Sequence, residues 1–472
     1  MFIKTADPGK MRPGWYDNFL YSTIDGLSSK NPKAEKAAAL ALVNGGHFIE
    51  KINAEQILDS VLLSDNYDLI SVLIKRSQGS RPNDVDIQQL YDLKKAETLS
   101  IVYRDTNVFE KDLSRILLFI NEDFGLELLI KVFNGENLIK NEVIENVLKA
   151  TLSSSNANKT LFLTQLCPKL NSSFGPTISE ILNQGPSEDI IKSLICYATP
   201  DLINNIKIEH LIQIFEHNDS ENSVHLKASI ANKLINPKFV LESAPDTCPR
   251  QVIWITKGLV YRKLPYFGSK VWIDKLLHML GQGLEVDFNI LVKDIETFLE
   301  CPKSLIALAR QKIFNLTKPS LIKAFQEGLH PSAHLKALIC QLPYVPKFDL
   351  AHEISNLLPL LLSGLGEQNQ DDLLTLASLT CLHDLVDHEP IKFGSYFSTL
   401  LPLWLKIAKN KEKPIKIRIK ALECLKAATK AETKDILIYK KEVIRDLIPT
   451  LDDHKRLVRQ AATSARNSWC IS

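Results

Sequence analysis

Four sets of residues in this 472-residue chain have the types and spacing to do chemistry. His330 and His334 are four apart, a spacing that on a helix sets two imidazoles on one face as zinc ligands. Pro331 lies between them, so His330 is expected just before a helix start rather than on its face. His383 and His388 stand with Asp384, Asp387 and Glu389, a dense group of nitrogen and oxygen donors that could hold a metal and activate water. They fall at a helix end and the turn after it, where such residues are ordinarily solvated. A cryptic metal hydrolase there is the one enzyme reading the chain offers.

Cysteine supplies the other two sets. Cys-Pro occurs at Cys167-Pro168, Cys248-Pro249 and Cys301-Pro302. An exposed thiolate in that dipeptide can ligate haem, whereas a proline opening a helix at its first position simply leaves the cysteine outside. The three sites share nothing else, so the structural reading is preferred. Cys340, Cys381 and Cys424 recur periodically, but neighbouring helical repeats stack at roughly 10 Å. Ligands of one iron–sulfur cluster must converge on it, so these thiols are expected in a core. No GxxxxGK[ST], GxGxxG, GxSxG or HExxH occurs. The expectation is a non-enzyme, with no catalytic residue, no metal site and no cofactor.

Charge is the remaining chemical signal. The 57 basic and 55 acidic residues leave +2 overall. From Leu403 to Ser472, however, 17 Lys plus Arg face 8 Asp plus Glu, a local net of +9 against −7 for the rest. A basic run spans Lys409–Lys420. A second cluster is Lys455-Arg456-Leu457-Val458-Arg459, followed by Arg466. Such runs are commonly a solvated face, and binding an acidic protein surface is the functional reading. Stacking aromatics are not interleaved with these lysines, which makes nucleic acid an unlikely partner.

The elements that position these residues are helices in repeat. Ala337, Ser378, Ala421 and Ala462 sit in equivalent apolar surroundings, at successive intervals of 41, 43 and 41 along the chain. Pro359, Pro402 and Pro449 form a second series, at intervals of 43 and 47. The unit implied is two antiparallel helices. The first carries a leucine stripe bent by its proline; the second carries a small residue where neighbouring helices approach closely. A period of about 40–47 residues with two helices is the HEAT or armadillo signature. Asp452-Asp453 in the last turn could cap a helix, and Arg459 could reach a neighbouring repeat's carboxylates or carbonyls.

Upstream the period is weaker. Gly268-Ser269 mirrors Gly394-Ser395, three repeat periods further on. Amphipathic stretches recur at Ala34–Val43, Leu113–Asn121, Asn141–Thr151, Ile190–Tyr197 and Val224–Ile235. Polar breaks at Ser153–Asn158, Asn171–Thr177, Glu242–Pro249 and Ser363–Asp372 read as loops between helices. The expected fold is all-α, a HEAT/armadillo-type α-solenoid of about ten or eleven two-helix repeats. Residues 1–250 read as divergent repeats and 251–472 as C-terminal HEAT repeats, clearest at 331–390, 391–435 and 440–472. Only 18 glycines and 22 prolines fit a stack of paired helices, which needs few tight turns. The first residues show no polar cap, so the C-terminal part of a longer array is expected.

The opening Met1–Pro8 meets charge and proline at once, with no signal-peptide core, and the longest apolar stretch, Leu357 to Leu365, is far short of the ~20 residues that span a bilayer. Eight cysteines are scattered widely, without CxxC, which suits a reducing compartment better than a disulfide framework. The reading is intracellular, away from membranes.

The final stretch Leu451–Trp469 is more specific than a generic repeat. Together with Trp254-Ile255-Thr256-Lys257-Gly258-Leu259-Val260-Tyr261-Arg262, Ser269–Leu277, Arg310-Gln311-Lys312-Ile313-Phe314 and Leu379-Thr380-Cys381-Leu382, it resembles the C-terminal part of the Mms-nineteen nucleotide excision repair homologue family. These blocks run in order over about residues 250–472. The resemblance implies a HEAT-repeat adaptor of the cytosolic iron–sulfur assembly targeting complex. Such an adaptor works with a WD-repeat propeller and a small acidic subunit. These deliver clusters to client proteins of DNA replication, repair and transcription, including the excision-repair helicase. It also implies cytoplasmic and nuclear location, with reported links to the mitotic spindle. The C-terminal repeats would dock the assembly partners, and the residues expected to do so are Lys455, Arg456, Arg459, Arg466 and Trp469. The competing reading is a HEAT-repeat transport or trafficking adaptor that binds a GTPase or cargo.

Overall fold

The computed structural model describes residues 15–27, 32–44, 54, 57–58, 61–62, 66–76, 84–135, 139–216, 220–242, 248–263, 268–328, 330–366 and 371–471. The Met1–Pro8 segment, and the centres of the breaks at 243–247 and 367–370, lie outside the described residues. Among the described residues every regular element is a helix, and none is long and apolar enough to cross a membrane. The helices form two compact units, Met1–Asn205 and Ile206–Ser472, each a stack of paired helices, the architecture of HEAT/armadillo-type repeats.

In the N-terminal unit, helices α1 (Tyr67–Arg76), α2 (Ala96–Val102), α3 (Asp123–Asn134), α4 (Lys159–Leu166) and α5 (Glu188–Cys196) pack successively. Their starts advance by uneven steps of 29, 27, 36 and 29. Leu99, Leu128, Leu129, Leu163 and Leu194 are fully buried along this layer. Polar side chains stitch consecutive repeats: Lys140 to Glu110 at 2.6 Å, Asn158 to Asp123 at 2.8 Å and Asn141 to Ser173 at 3.1 Å. Gly125 in α3 is needed because a Cβ there would strike the Phe119 carbonyl.

In the C-terminal unit the helix Ile208–Glu216 is followed by a tightly packed pair, α6 (Glu221–Lys233) and α7 (Pro249–Val260). Ser220 caps α6 through the Ser223 amide at 3.0 Å, and Pro249 opens α7 at its first turn. Gly258 lets the two backbones touch, since a Cβ there would meet the Ala228 carbonyl. Lys257 is 1% exposed, with its ammonium 2.6 Å from the Asp294 carbonyl and 2.8 Å from Glu296. Burial pulls its pKa down while Glu296 opposes that shift. Arg262 bonds the Leu234 carbonyl that ends α6. The Trp254–Arg262 block therefore serves packing: its glycine, lysine and arginine each close one joint of the unit.

Beyond it, after the long helix Lys303–Gln326, come α8 (Pro331–Ile339), α9 (Ile354–Leu365), α10 (Asp372–His388), α11 (Phe397–Lys409), α12 (Ile415–Ala428), α13 (Thr433–Asp446) and α14 (Arg456–Ile471). Helices α8, α10, α12 and α14 form one layer whose starts advance by 41, 43 and 41. The small residues Ala337, Ser378, Ala421 and Ala462 are all buried on that layer at the same intervals. Pro359 and Pro402 lie inside α9 and α11, as the bend required. The third proline behaves differently: α13 stops at Asp446 and Pro449 sits in the first turn of a separate short helix, Ile448–Leu451. A proline lacks the amide donor and crowds the carbonyl one turn back, so a helix that gains little from continuing breaks there.

Candidate partner-docking surface

The layer α10–α12–α14 is parallel and in register, because it is tied at both ends. Midway along α10 the Cys424 thiol lies 3.4 Å from the Leu379 carbonyl, and near the C-termini of α12 and α14 the Trp469 indole donates to the Leu425 carbonyl at 2.7 Å. At the N-terminal ends Lys413, just before α12, meets Asp372 in the first turn of α10 at 2.8 Å. Arg418, in the first turn of α12, pairs with Asp453, in the turn before α14. The turns preceding these helices therefore line one edge of the unit.

On that edge the basic residues sort into two kinds. Lys413 neutralises Asp372, and Lys409 neutralises Asp446 at 2.9 Å, holding that carboxyl below its ordinary range. Arg418 and Asp453 are each only 4% exposed, so this ion pair is a buried lock between two repeats. Asp453 also accepts from the Lys455 amide at 2.8 Å and thereby caps the start of α14. Lys411, Lys416, Lys455 and Arg456, by contrast, are exposed. A cleft of about 450 Å³ between α9, α10 and α11 opens on the same edge. Its Lys406 and Lys413 face Asp372 and Glu412, so its lining is charge-balanced.

The five expected docking residues are placed as follows. Lys455 and Arg456 project into solvent at the start of α14. Arg459 is half-buried and donates to the Asp453 carbonyl at 2.6 Å. Arg466 is half-buried with its Nε enclosed. Trp469 is fully buried with its indole N–H satisfied by Leu425, which makes it a packing residue of the last two repeats. The geometry brings Lys455, Arg456 and Arg459 together and puts Trp469 at the other end of α14.

The pairing of Arg418 with Asp453 is not evident from sequence, although a signal exists. Arg418 and Arg459 are separated by the same interval as Ala421 and Ala462, and so are Glu412 and Asp453. Aligning charged positions as well as small ones marks Arg418 and Asp453 as repeat positions, while their pairing is set by the fold. The basic run Lys409–Lys420 thus contains a buried structural arginine as well as surface lysines.

The other candidates resolve locally. His330 adopts a left-handed backbone before α8, its ring against Gly283, while His334 is buried with Nδ1 3.1 Å from the His330 carbonyl. The two imidazoles do not share a helix face. His383 bonds Asp384 at 2.9 Å and Asp387 is held by Lys430 at 2.5 Å. Among the described residues no three His, Cys, Asp or Glu converge as a metal site. Pro249 opens a helix as expected and Pro302 caps one, but Pro168 lies in a 3₁₀ turn continuing Lys159–Leu166. That corrects the helix-opening reading there: a 3₁₀ turn tolerates proline after an α-helix because it tightens the last carbonyls without a proline amide. Cys381 and Cys424 are buried and burial raises both thiols, Cys381 to about 12.

Residues 218–429 match the family described as RNAPII transcription regulator C-terminal. The MMS19 nucleotide excision repair protein homolog of Xenopus laevis is 33% identical over 229 residues, 47% of this chain and 22% of that relative. The DNA repair/transcription protein mms19 of Schizosaccharomyces pombe is 30% identical over 227 residues, again 22% of its length. The matched part of the chain thus spans under a quarter of either relative. Among solved structures, Kap121p is similar over 97% of this chain and 46% of its own, with 14% identity and a TM-score of 0.38. Residues 218–429 of the chain are thus similar to the C-terminal part of the MMS19 proteins.

Proposed function

We propose that the chain is a non-catalytic scaffold of the cytosolic iron–sulfur assembly machinery. In this reading it brings cluster-delivery subunits, a WD-repeat propeller and a small acidic protein, to apo-proteins of DNA replication, repair and transcription such as the excision-repair helicase. The cluster is cargo, carried by the partners, and the chain acts in cytoplasm and nucleus.

The observation that carries this reading is the edge of the last two repeats. The family resemblance is combined there with four exposed cations, Lys411, Lys416, Lys455 and Arg456, beside Asp372, Asp446 and Asp453, each of which is engaged in an ion pair between elements. Stacked repeats bind by extended surface rather than by a pocket. An acidic subunit is the complement such an edge would select.

Removal of residues 443–472 is the test. The propeller and the acidic subunit should no longer co-purify, while far-ultraviolet circular dichroism keeps the helical signal of the remaining repeats. Unchanged co-purification would sink the docking assignment, and recovery of a small GTPase in their place would favour a transport adaptor.

A further inference from the structure

The repeats contain an internal template for how the docking edge recognises a partner. Arg418 reaches forward from the first turn of α12 to a carboxylate, Asp453, in the turn of the next repeat. One repeat interval later, Arg459 occupies the same place in the first turn of α14. The two guanidiniums differ in what they have found. Arg418 is buried against Asp453; Arg459 is half-buried, donates to a backbone carbonyl and pairs with no carboxylate among the described residues.

The surroundings of Arg459 favour a carboxylate too. The edge on which it lies carries Lys411, Lys416, Lys455 and Arg456, all exposed, against Glu412 and Asp452. The N-terminus of α14 adds the positive end of a helix dipole. Leu457, 60% exposed between Arg456 and Val458, gives the patch an apolar centre. No Phe, Tyr or Trp is among these residues, so the edge lacks the stacking platform that single-stranded nucleic acid uses. Guanidinium–carboxylate pairing is the specific chemistry available.

The geometry points to Arg459 as the next rung of this ladder: an acidic segment of a partner protein presents a carboxylate to Arg459 as Asp453 does to Arg418. Lys455, Arg456 and Lys416 receive the flanking carboxylates, and a partner's apolar side chain covers Leu457. This rests on the reading of the edge as a docking surface and names the chemistry of what docks there.

Selection of short random peptides from a display library against the full chain, with a short single-stranded DNA as a parallel probe, tests it. Enriched peptides should be rich in Asp and Glu around one large apolar residue. Arg459→Glu should weaken them at least about tenfold, or about 1.4 kcal/mol. Arg459→Lys should retain part of the affinity, because it keeps charge but loses the fork. Lys455→Glu with Arg456→Glu, both on exposed side chains, gives a second reading that does not depend on Arg459 packing. Enrichment of non-acidic peptides, no enrichment, equal binding by Arg459→Glu and wild type, or preferential binding of the oligonucleotide would each overturn the proposal. The 443–472 truncation asks separately which proteins dock, so loss of acidic-peptide selectivity and loss of the assembly subunits are distinguishable failures.

Discussion

The N-terminal and C-terminal units are built from the same device, paired helices in register, but advance by different steps. Successive helices of the N-terminal layer start at intervals of 27 to 36, whereas α8, α10, α12 and α14 start at intervals of 41 to 43. The longer step accommodates longer helices: α10 has 17 residues and α14 has 16, against 7 in α2 and 8 in α4. It also changes what joins the repeats. The N-terminal unit uses exposed amide and hydroxyl contacts and lysine–glutamate pairs, while the C-terminal unit adds a buried arginine–aspartate lock and a buried tryptophan. A small residue set at a near-constant interval is thus a property of the C-terminal stack, where helices pack in one register.

The largest break in that comparison should come from Trp469→Ala. Removing a fully buried indole that bonds Leu425 should destabilise the final repeat by about 3–5 kcal/mol. Hydrogen exchange should show lost protection over α13 and α14, with α2–α4 unchanged. Next, Arg418→Ala leaves Asp453 buried without its counter-charge, at a cost of about 3 kcal/mol in urea unfolding. The pair replacement Arg418→Met with Asp453→Leu should recover most of that loss, though without the α14 cap. A smaller and more even effect is expected from Gly258→Ala and Gly125→Ala. Each pushes a Cβ into a backbone carbonyl and should cost about 1–3 kcal/mol by thermal melting, in its own unit.

The smallest effect is on pH dependence. Asp371, Asp387 and Asp446 are each held below the ordinary carboxylate range, chiefly by hydrogen bonds from Lys336, Lys430 and Lys409. A depressed folded pKa contributes stability that is present above the unfolded value of about 3.9 and is lost as pH falls through the folded value. Each rung is partly exposed, so the loss should stay under about 1 kcal/mol. Urea midpoints measured downward from about pH 5 should fall less steeply in Lys336→Ala, Lys409→Ala and Lys430→Ala than in the parent. A slope unchanged in these variants would remove the inter-repeat ion pairs from the account.

Much of the C-terminal architecture was legible because packing leaves a periodic trace. Ala337, Ser378, Ala421 and Ala462 must be small wherever helices of one layer approach, so their interval reports the repeat directly. Pro359 and Pro402 were readable as helix-interior bends. Pro449 was not, since whether a helix bends or breaks depends on what its C-terminal turn packs against. The Trp254–Arg262 block was recognisable as a family feature, but its reason, the contact of Gly258 with Ala228 and the burial of Lys257, lies in groups brought together by folding. The candidate site was half legible: the charge excess pointed to the right end of the chain without sorting its members.

By itself the amino-acid order determined that the chain is helical, that its C-terminal helices recur at a near-constant interval, and that the excess positive charge gathers from Leu403 onward. Those are properties of local spacing and composition, and they survive any detail of packing. Only the tertiary structure decided which cations are spent. Arg418 and Arg459 are the same residue type at equivalent positions, yet one is locked to Asp453 and the other remains half-open. Their difference is set by which neighbour folding places opposite each guanidinium, and burial makes that placement decisive by removing the water that would otherwise satisfy either one.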